Sequence, residues 1–201
     1  SSDYTQWFKI YLNEHFEKLF DFQQAWSDVE IITWKVFKLT KIFVAGSTGY
    51  IGKNVVKYAL DNGFDVVTAK RHSDNKPGQR NKKLKVIKIS NNDNNWIADL
   101  EKVDVIISCL ASRTGEPKDA HLVDYKLNCL LLEKAKALKC SQFILLSAIC
   151  VQKPRLAFQF EKLAFEEELK KSGLNFSIVR PTAYFKSLSG QIENIKKGKP
   201  Y

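Results

Sequence analysis

The 201-residue chain has no methionine, four cysteines, five prolines and three histidines, and no apolar run near the roughly 18 residues of a membrane span. Each shortage excludes something. Cys109, Cys129, Cys140 and Cys150 form no C-x-x-C pair, which argues against a zinc site or a dithiol redox motif, so no metal is expected. Cys109 and Cys150 fall inside apolar runs, where a free thiol behaves as a small hydrophobe and suits a reducing compartment. No basic stretch followed by an apolar one opens the sequence, so a secretory signal is not expected and the protein reads as soluble or peripheral. The missing methionine, in a chain that opens Ser1-Ser2-Asp3, leads us to expect a processed or truncated piece.

What is present is one domain's worth of core, with 44% hydrophobic and 27% charged residues. Lys and Arg outnumber Asp and Glu by 32 to 22. The resulting charge of +10 suits either an anionic ligand or surface, or simply a Lys-rich solvated exterior. No nucleic-acid motif accompanies the charge, and no nucleic-acid partner is expected.

Residues 1–40 stand apart as an aromatic-rich extension, with three of the four Trp. Tyr4, Phe8, Tyr11, Leu12, Phe16 and Leu19 recur at helical spacing, and Ile32, Trp34 and Val36 alternate as in a short strand. A helix docked on a domain or on a partner is one reading, an arm for a membrane surface or a partner is another, and a segment foreign to the native coding sequence is a third. From residue 41 the pattern becomes regular. Short apolar runs at 41–45, 65–69, 85–89, 103–108, 142–146 and 175–179 alternate with helical stretches reaching about 62 and spanning about 121–138 and 155–172. That alternation predicts an α/β Rossmann fold over 41–201, a doubly wound parallel sheet of order 3-2-1-4-5-6 with helices on both faces.

Between the first run and its helix stands Gly46-Ser-Thr-Gly49-Tyr-Ile-Gly52. In that position glycines mean a dinucleotide: Gly46 for the turn, Gly49 for close approach to the pyrophosphate, Gly52 for packing of the helix on the strand. The helix N-terminus then offers its N–H groups to phosphate. The second strand ends Thr68-Ala69-Lys70-Arg71, with no carboxylate for ribose hydroxyls. Arg71, assisted by Lys70 or Lys53, suits a 2′-phosphate, and the expected cofactor is NADPH.

The glycine spacing is similar to that of extended and atypical short-chain dehydrogenases/reductases. In those families a Ser follows the fifth strand and a Tyr-x-x-x-Lys lies on the next helix. Here Ser147 follows Phe143-Ile-Leu-Leu146, and Phe158-Gln-Phe-Glu-Lys162 keeps the Lys with Phe in place of Tyr. Loss of the phenol removes the proton donor that a carbonyl reductase needs, and is compatible with reduction of a carbon–carbon double bond.

Longer stretches extend the resemblance: Val44-Ala-Gly-Ser-Thr-Gly-Tyr-Ile-Gly52, Ser108-Cys-Leu-Ala-Ser-Arg113, Leu146-Ser-Ala-Ile-Cys-Val-Gln-Lys-Pro154 and Val179-Arg-Pro-Thr-Ala-Tyr-Phe-Lys-Ser-Leu188. Over residues 41–201 the sequence closely resembles the NADPH-dependent divinyl chlorophyllide a 8-vinyl-reductase family of photosynthetic organisms, atypical members of the same superfamily. The resemblance implies an oxidoreductase of chlorophyll biosynthesis that reduces the 8-vinyl group of a divinyl tetrapyrrole to ethyl. Its implied location is the chloroplast, or the cytoplasm or thylakoid surface of a photosynthetic bacterium, with peripheral association with photosynthetic membranes as one of the partners it suggests.

By the same resemblance Gly46, Thr48, Gly49, Tyr50, Ile51 and Gly52 would hold the pyrophosphate and Arg71 the 2′-phosphate. Leu110, Ala111 and Ser112 would line the adenine and ribose side, Lys162 would bind the nicotinamide ribose, and Pro181 and Thr182 would sit beside the amide. Lys162 and Ser147 are the candidate catalytic residues, and Tyr184 is a further candidate donor. Residues 1–40 do not resemble the family, and its substrate-covering C-terminal part is expected beyond residue 201. Two other readings stand beside this one: a catalytically inactive, nucleotide-binding scaffold subunit, and a reductase of the NmrA or isoflavone-reductase type with another substrate.

If Arg71 reads the 2′-phosphate, Arg71→Glu weakens NADPH binding far more than NADH binding. Titration with both nucleotides tests this, and equal losses contradict the assignment.

Overall fold

A computed structural model describes residues 40–71, 81–89 and 95–182. The helix and strand expected before residue 40, most of the loop after Arg71, the bend at 90–94 and everything after Thr182, including Tyr184, lie outside the described residues.

Six parallel strands form one sheet in the order β3-β2-β1-β4-β5-β6. They are β1 Lys41–Ala45, β2 Asp65–Arg71, β3 Leu84–Ile89, β4 Val105–Ser108, β5 Gln142–Leu146 and β6 Phe176–Val179. The expected order and the position of every strand are met, with end shifts of one or two residues. The central strands are buried on both sides, which is why they read as unbroken apolar runs and not as alternation. Alternate residues then divide between two layers. Phe43, Ile106, Phe143 and Leu145 join Leu131, Leu132, Phe165 and Leu169 in the main core, where the Phe143 and Phe165 rings lie 5.8 Å apart. On the opposite side Ile42, Val44 and Val66 are buried, as are Val55 and Ala59 of helix α1 (Tyr50–Asp61).

The helix between β4 and β5 departs from expectation. It begins earlier, as α2 (Pro117–Ala120), passes through a π-helical segment His121–Lys126, and continues as α3 (Leu127–Ala137). The Asn128 amide donates to the carbonyls of Val123 and Asp124, 3.3 and 2.9 Å away. Asp124 and Asn128 are both fully buried. Widened turns of this kind interrupt helices where a side chain must be aimed inward.

Helix α4 (Ala157–Lys171) follows Pro154, and its first turn is capped by Gln159, whose Oε1 accepts from the N–H groups of Arg155 and Leu156. Its buried stripe is Lys162, Phe165, Glu166 and Leu169. The spacing is that of an ordinary amphipathic helix, yet two of the four residues are charged. No helix among the described residues is long and apolar enough to cross a membrane.

Phe143→Ala removes a ring from the centre of the main core, with an expected loss of about 3–5 kcal/mol in urea unfolding. Leu122→Ala, at a side chain 56% exposed, changes stability by about 0.5 kcal/mol or less. Similar unfolding midpoints for the two variants would contradict the placement of Phe143 in the core and Leu122 at the surface.

Candidate functional site

The carboxyl ends of the strands carry the site, as they do in open parallel sheets generally. After β1 the chain reverses at Gly46, whose φ of +72° is a left-handed conformation that favours glycine. A Cβ on Gly46 would lie 2.5 Å from the Cys109 carbonyl oxygen, so the turn is pressed against the chain leaving β4. A Cβ on Gly52 would lie 2.2 Å from the Gly46 carbonyl oxygen, and this contact lets α1 start directly over the turn. The Gly49 N–H donates back to the Gly46 carbonyl at 3.0 Å. Gly46 and Gly52 therefore stand where turn and packing were expected to need them.

Helix α1 opens without a side-chain cap and without an acidic residue in its first turn. Ser47 Oγ is buried in the turn with no hydrogen-bond partner among the described residues. Thr48, Gly49 and Tyr50 are exposed, and the Lys53 ammonium lies 5.7 Å from the centre of the Tyr50 ring. A tight glycine turn and an uncapped helix start of basic character fit the pyrophosphate of a dinucleotide. Arg71 is exposed at the end of β2, beside β1 in the sheet, with Lys70 half-buried before it. That is the edge at which the first ribose of a bound dinucleotide is read.

Past β4, residues 109–112 run beside the turn, and the Cys109 N–H donates to the Ala45 carbonyl at 3.0 Å. Lys162 reaches this segment from α4. Its ammonium donates to the Leu110 carbonyl at 3.1 Å and to the Leu146 carbonyl at 3.2 Å, and lies 3.0 Å from Asp124 Oδ1. Oδ1 accepts no hydrogen bond of standard geometry, so this contact is an ion pair; the other carboxylate oxygen takes the Ser112 N–H at 3.2 Å. Lys162 is 4% exposed and Asp124 is fully buried. An ammonium withdrawn from water needs such partners, because an unpaired buried charge is strongly unfavourable.

One helical turn further on, Glu166 is also fully buried. It accepts the Ser147 hydroxyl proton at 2.5 Å and pairs with Arg180, which donates through both Nε and Nη2. The carboxylate in turn raises the pKa of the Arg180 guanidinium. The Ser147 N–H donates to the Val179 carbonyl and the Ile149 N–H to the Pro181 carbonyl, so the ends of β5 and β6 run on together. Phe158 is half-buried one turn before Lys162, and Pro181 and Thr182 follow Arg180.

The structure thus brings Ser147, Lys162 and Leu110 onto one polar seam. Asp124, Asn128, Glu166 and Arg180, not anticipated as site residues, complete it. Asp124/Asn128 and Lys162/Glu166 are both i, i+4 pairs, which share a helix face, but that spacing does not mark a face as buried. At the end of β4, the Ser108 hydroxyl donates to Asn128 Oδ1 at 2.5 Å. The four cysteines are free, and burial pushes the Cys109 thiol up to about 12 despite the nearby Lys162 charge, which does not suit a thiolate nucleophile.

Comparison with known proteins agrees with this geometry. The family model for NAD(P)H-binding proteins matches residues 46–201. The chain is 46% identical over 182 residues to the chloroplastic divinyl chlorophyllide a 8-vinyl-reductase of Cucumis sativus, an alignment covering 82% of this chain and 43% of that protein. Identity to the corresponding Arabidopsis thaliana protein is 45% over 179 residues, covering 80% of this chain and 43% of that one. The chain therefore spans less than half the length of these relatives. Among solved structures, the Bordetella bronchiseptica enzyme WbmH in complex with NAD+ superposes with a TM-score of 0.62 at 20% identity, covering 80% of this chain and 64% of that one, which establishes likeness of fold. With the glycine turn, the uncapped helix and the 3-2-1-4-5-6 sheet all in place, the chain belongs to the NAD(P)H-binding family.

Proposed function

We propose that this chain is the nucleotide-binding part of an NADPH-dependent reductase that converts the 8-vinyl group of divinyl chlorophyllide, or a closely related tetrapyrrole, to ethyl in the chloroplast. Residues 41–201 form the nucleotide domain in this reading, and residues 1–40 an extension to it. The observation that carries it is that, among the described residues, no free acid stands where a carbonyl reductase keeps one. Phe158 has no hydroxyl, the Ser147 proton is directed at Glu166, and Lys162 is committed to two carbonyls and an ion pair. Reduction of a conjugated double bond tolerates this, since conjugation holds the charge that a lone alkoxide would need an acid to quench.

Bound NADPH supplies the hydride. The backbone of Gly46, Thr48, Gly49, Tyr50, Ile51 and Gly52 holds its pyrophosphate, Arg71 selects the 2′-phosphate, and Leu110, Ala111 and Ser112 line the adenine and ribose side. Pro181 and Thr182 stand at the amide end. Ser147 is buried and its proton is directed at Glu166, so it fixes the end of β5 and does not serve as the proton donor. The proton that completes the reduction comes from outside Ser147, Phe158 and Lys162.

The test is an assay of the full reading frame with divinyl chlorophyllide and NADPH. Loss of one conjugated double bond moves the absorption of the pigment to shorter wavelength, and that shift is the expected result. NADPH binding without any shift favours a nucleotide-binding scaffold and overturns the reductase reading.

A further inference from the structure

Glu166 receives two side chains that stand opposite one another in the sheet. The β5–β6 register pairs Leu146 with Val179, so one residue further on Ser147 faces Arg180. The Ser147 hydroxyl donates to Glu166 at 2.5 Å, and Arg180 donates to the same carboxylate through Nε at 3.0 Å and through Nη2. The main chain is bonded on both sides of this pair, by the Ser147 N–H to the Val179 carbonyl at 2.7 Å and by the Ile149 N–H to the Pro181 carbonyl at 3.0 Å. A parallel ladder would also return an N–H from residue 181 to the Ser147 carbonyl, and proline has none to give. Glu166 therefore ties the two strand ends together at the step where the ladder loses a bond.

We infer that Glu166 and Arg180 are positioning residues for the nicotinamide half of the nucleotide, which set the course of the chain from Arg180 into Pro181 and Thr182. This rests on the nucleotide reading above. A dinucleotide lying across the carboxyl ends of the strands, with its adenosine end at β2, turns its other end toward β5 and β6. The segment 180–182 leaves β6 at that end, and Thr182 is exposed there. A fully buried carboxylate that holds a guanidinium by two parallel bonds leaves the strand end little freedom to turn.

Two ligands separate the halves of the site. NADPH spans all of it, and adenosine 2′,5′-bisphosphate carries only the adenine, the first ribose and the 2′-phosphate. In protein made from the full reading frame, Glu166→Gln keeps an acceptor but gives up the charge that holds Arg180. It is expected to weaken NADPH about tenfold in calorimetric titration and to leave the fragment within about twofold of the parent. Arg180→Lys keeps the charge and loses the second bond, and is expected to weaken NADPH about threefold with the fragment again unchanged. Fluorescence of the bound dihydronicotinamide is a second readout, which a role in folding alone does not move. Per bound NADPH, the enhancement seen in the parent is expected to fall in both variants.

Equal weakening of both ligands, no change in either, or parent-like fluorescence of bound NADPH in both variants makes the pair a support of the domain as a whole and overturns the inference. So does a parent that binds NADPH no more tightly than the fragment, since no nicotinamide contact is then there to lose. Should Glu166→Gln fail to fold, Arg180→Lys decides by the same comparison, at the partner whose side chain is 30% exposed. A parent that binds neither ligand overturns the nucleotide reading on which the inference stands.

Discussion

A buried ammonium must be surrounded by oxygen, and much of this site follows from how the chain meets that demand at Lys162. Its partners come from three places: the ends of β4 and β5, which supply the Leu110 and Leu146 carbonyls, and the π-helical segment, which supplies Asp124. Removing Asp124 leaves the ammonium without its counter-charge in the interior, a loss of about 3–5 kcal/mol. The widened helical turn is intelligible in these terms. It carries Asp124 fully buried, within reach of both the ammonium and the Ser112 N–H, while the Asn128 amide donates to the Val123 and Asp124 carbonyls of the irregular turn.

Glu166 repeats the arrangement with the charges reversed. There the carboxylate comes from α4, the cation is Arg180 from the end of β6, and the third group is Ser147 from the end of β5. One helix face thus presents a cation and then an anion, one turn apart, to three adjacent strand ends. The two pairs balance in charge, so the seam tolerates burial, and they fix the strand ends by hydrogen bonds with defined directions, which apolar packing does not provide. The chemical consequence is that both groups which resemblance marks as catalytic, Ser147 and Lys162, face inward to protein partners.

Much of this was legible in the sequence. Apolar β-branched runs between amphipathic helices predicted six parallel strands in the observed order, because a sheet covered on both faces leaves no other pattern. Gly46 and Gly52 were legible because their roles are steric and local. The charged seam was not, for a physical reason: periodicity registers a buried stripe by its apolar members, and Glu166 and Asp124 look like solvated residues until the fold supplies Arg180, Lys162 and the strand carbonyls. The π-helical segment escaped for a related reason, since its cause is the tertiary demand on Asp124 and Asn128 and not local propensity.

The glycine turn lies against Cys109 and Leu110, while the Leu110 carbonyl is held by Lys162 and the Ser112 N–H by Asp124. A nucleotide lying across both segments must quiet both at once. Amide hydrogen exchange of the chain with and without NADPH is the most direct measurement. Slowed exchange at residues 46–53 and 109–112 together, stronger with NADPH than with NADH, is the expected result. No slowing at either, or slowing at the turn while 109–112 exchange as before, would contradict it.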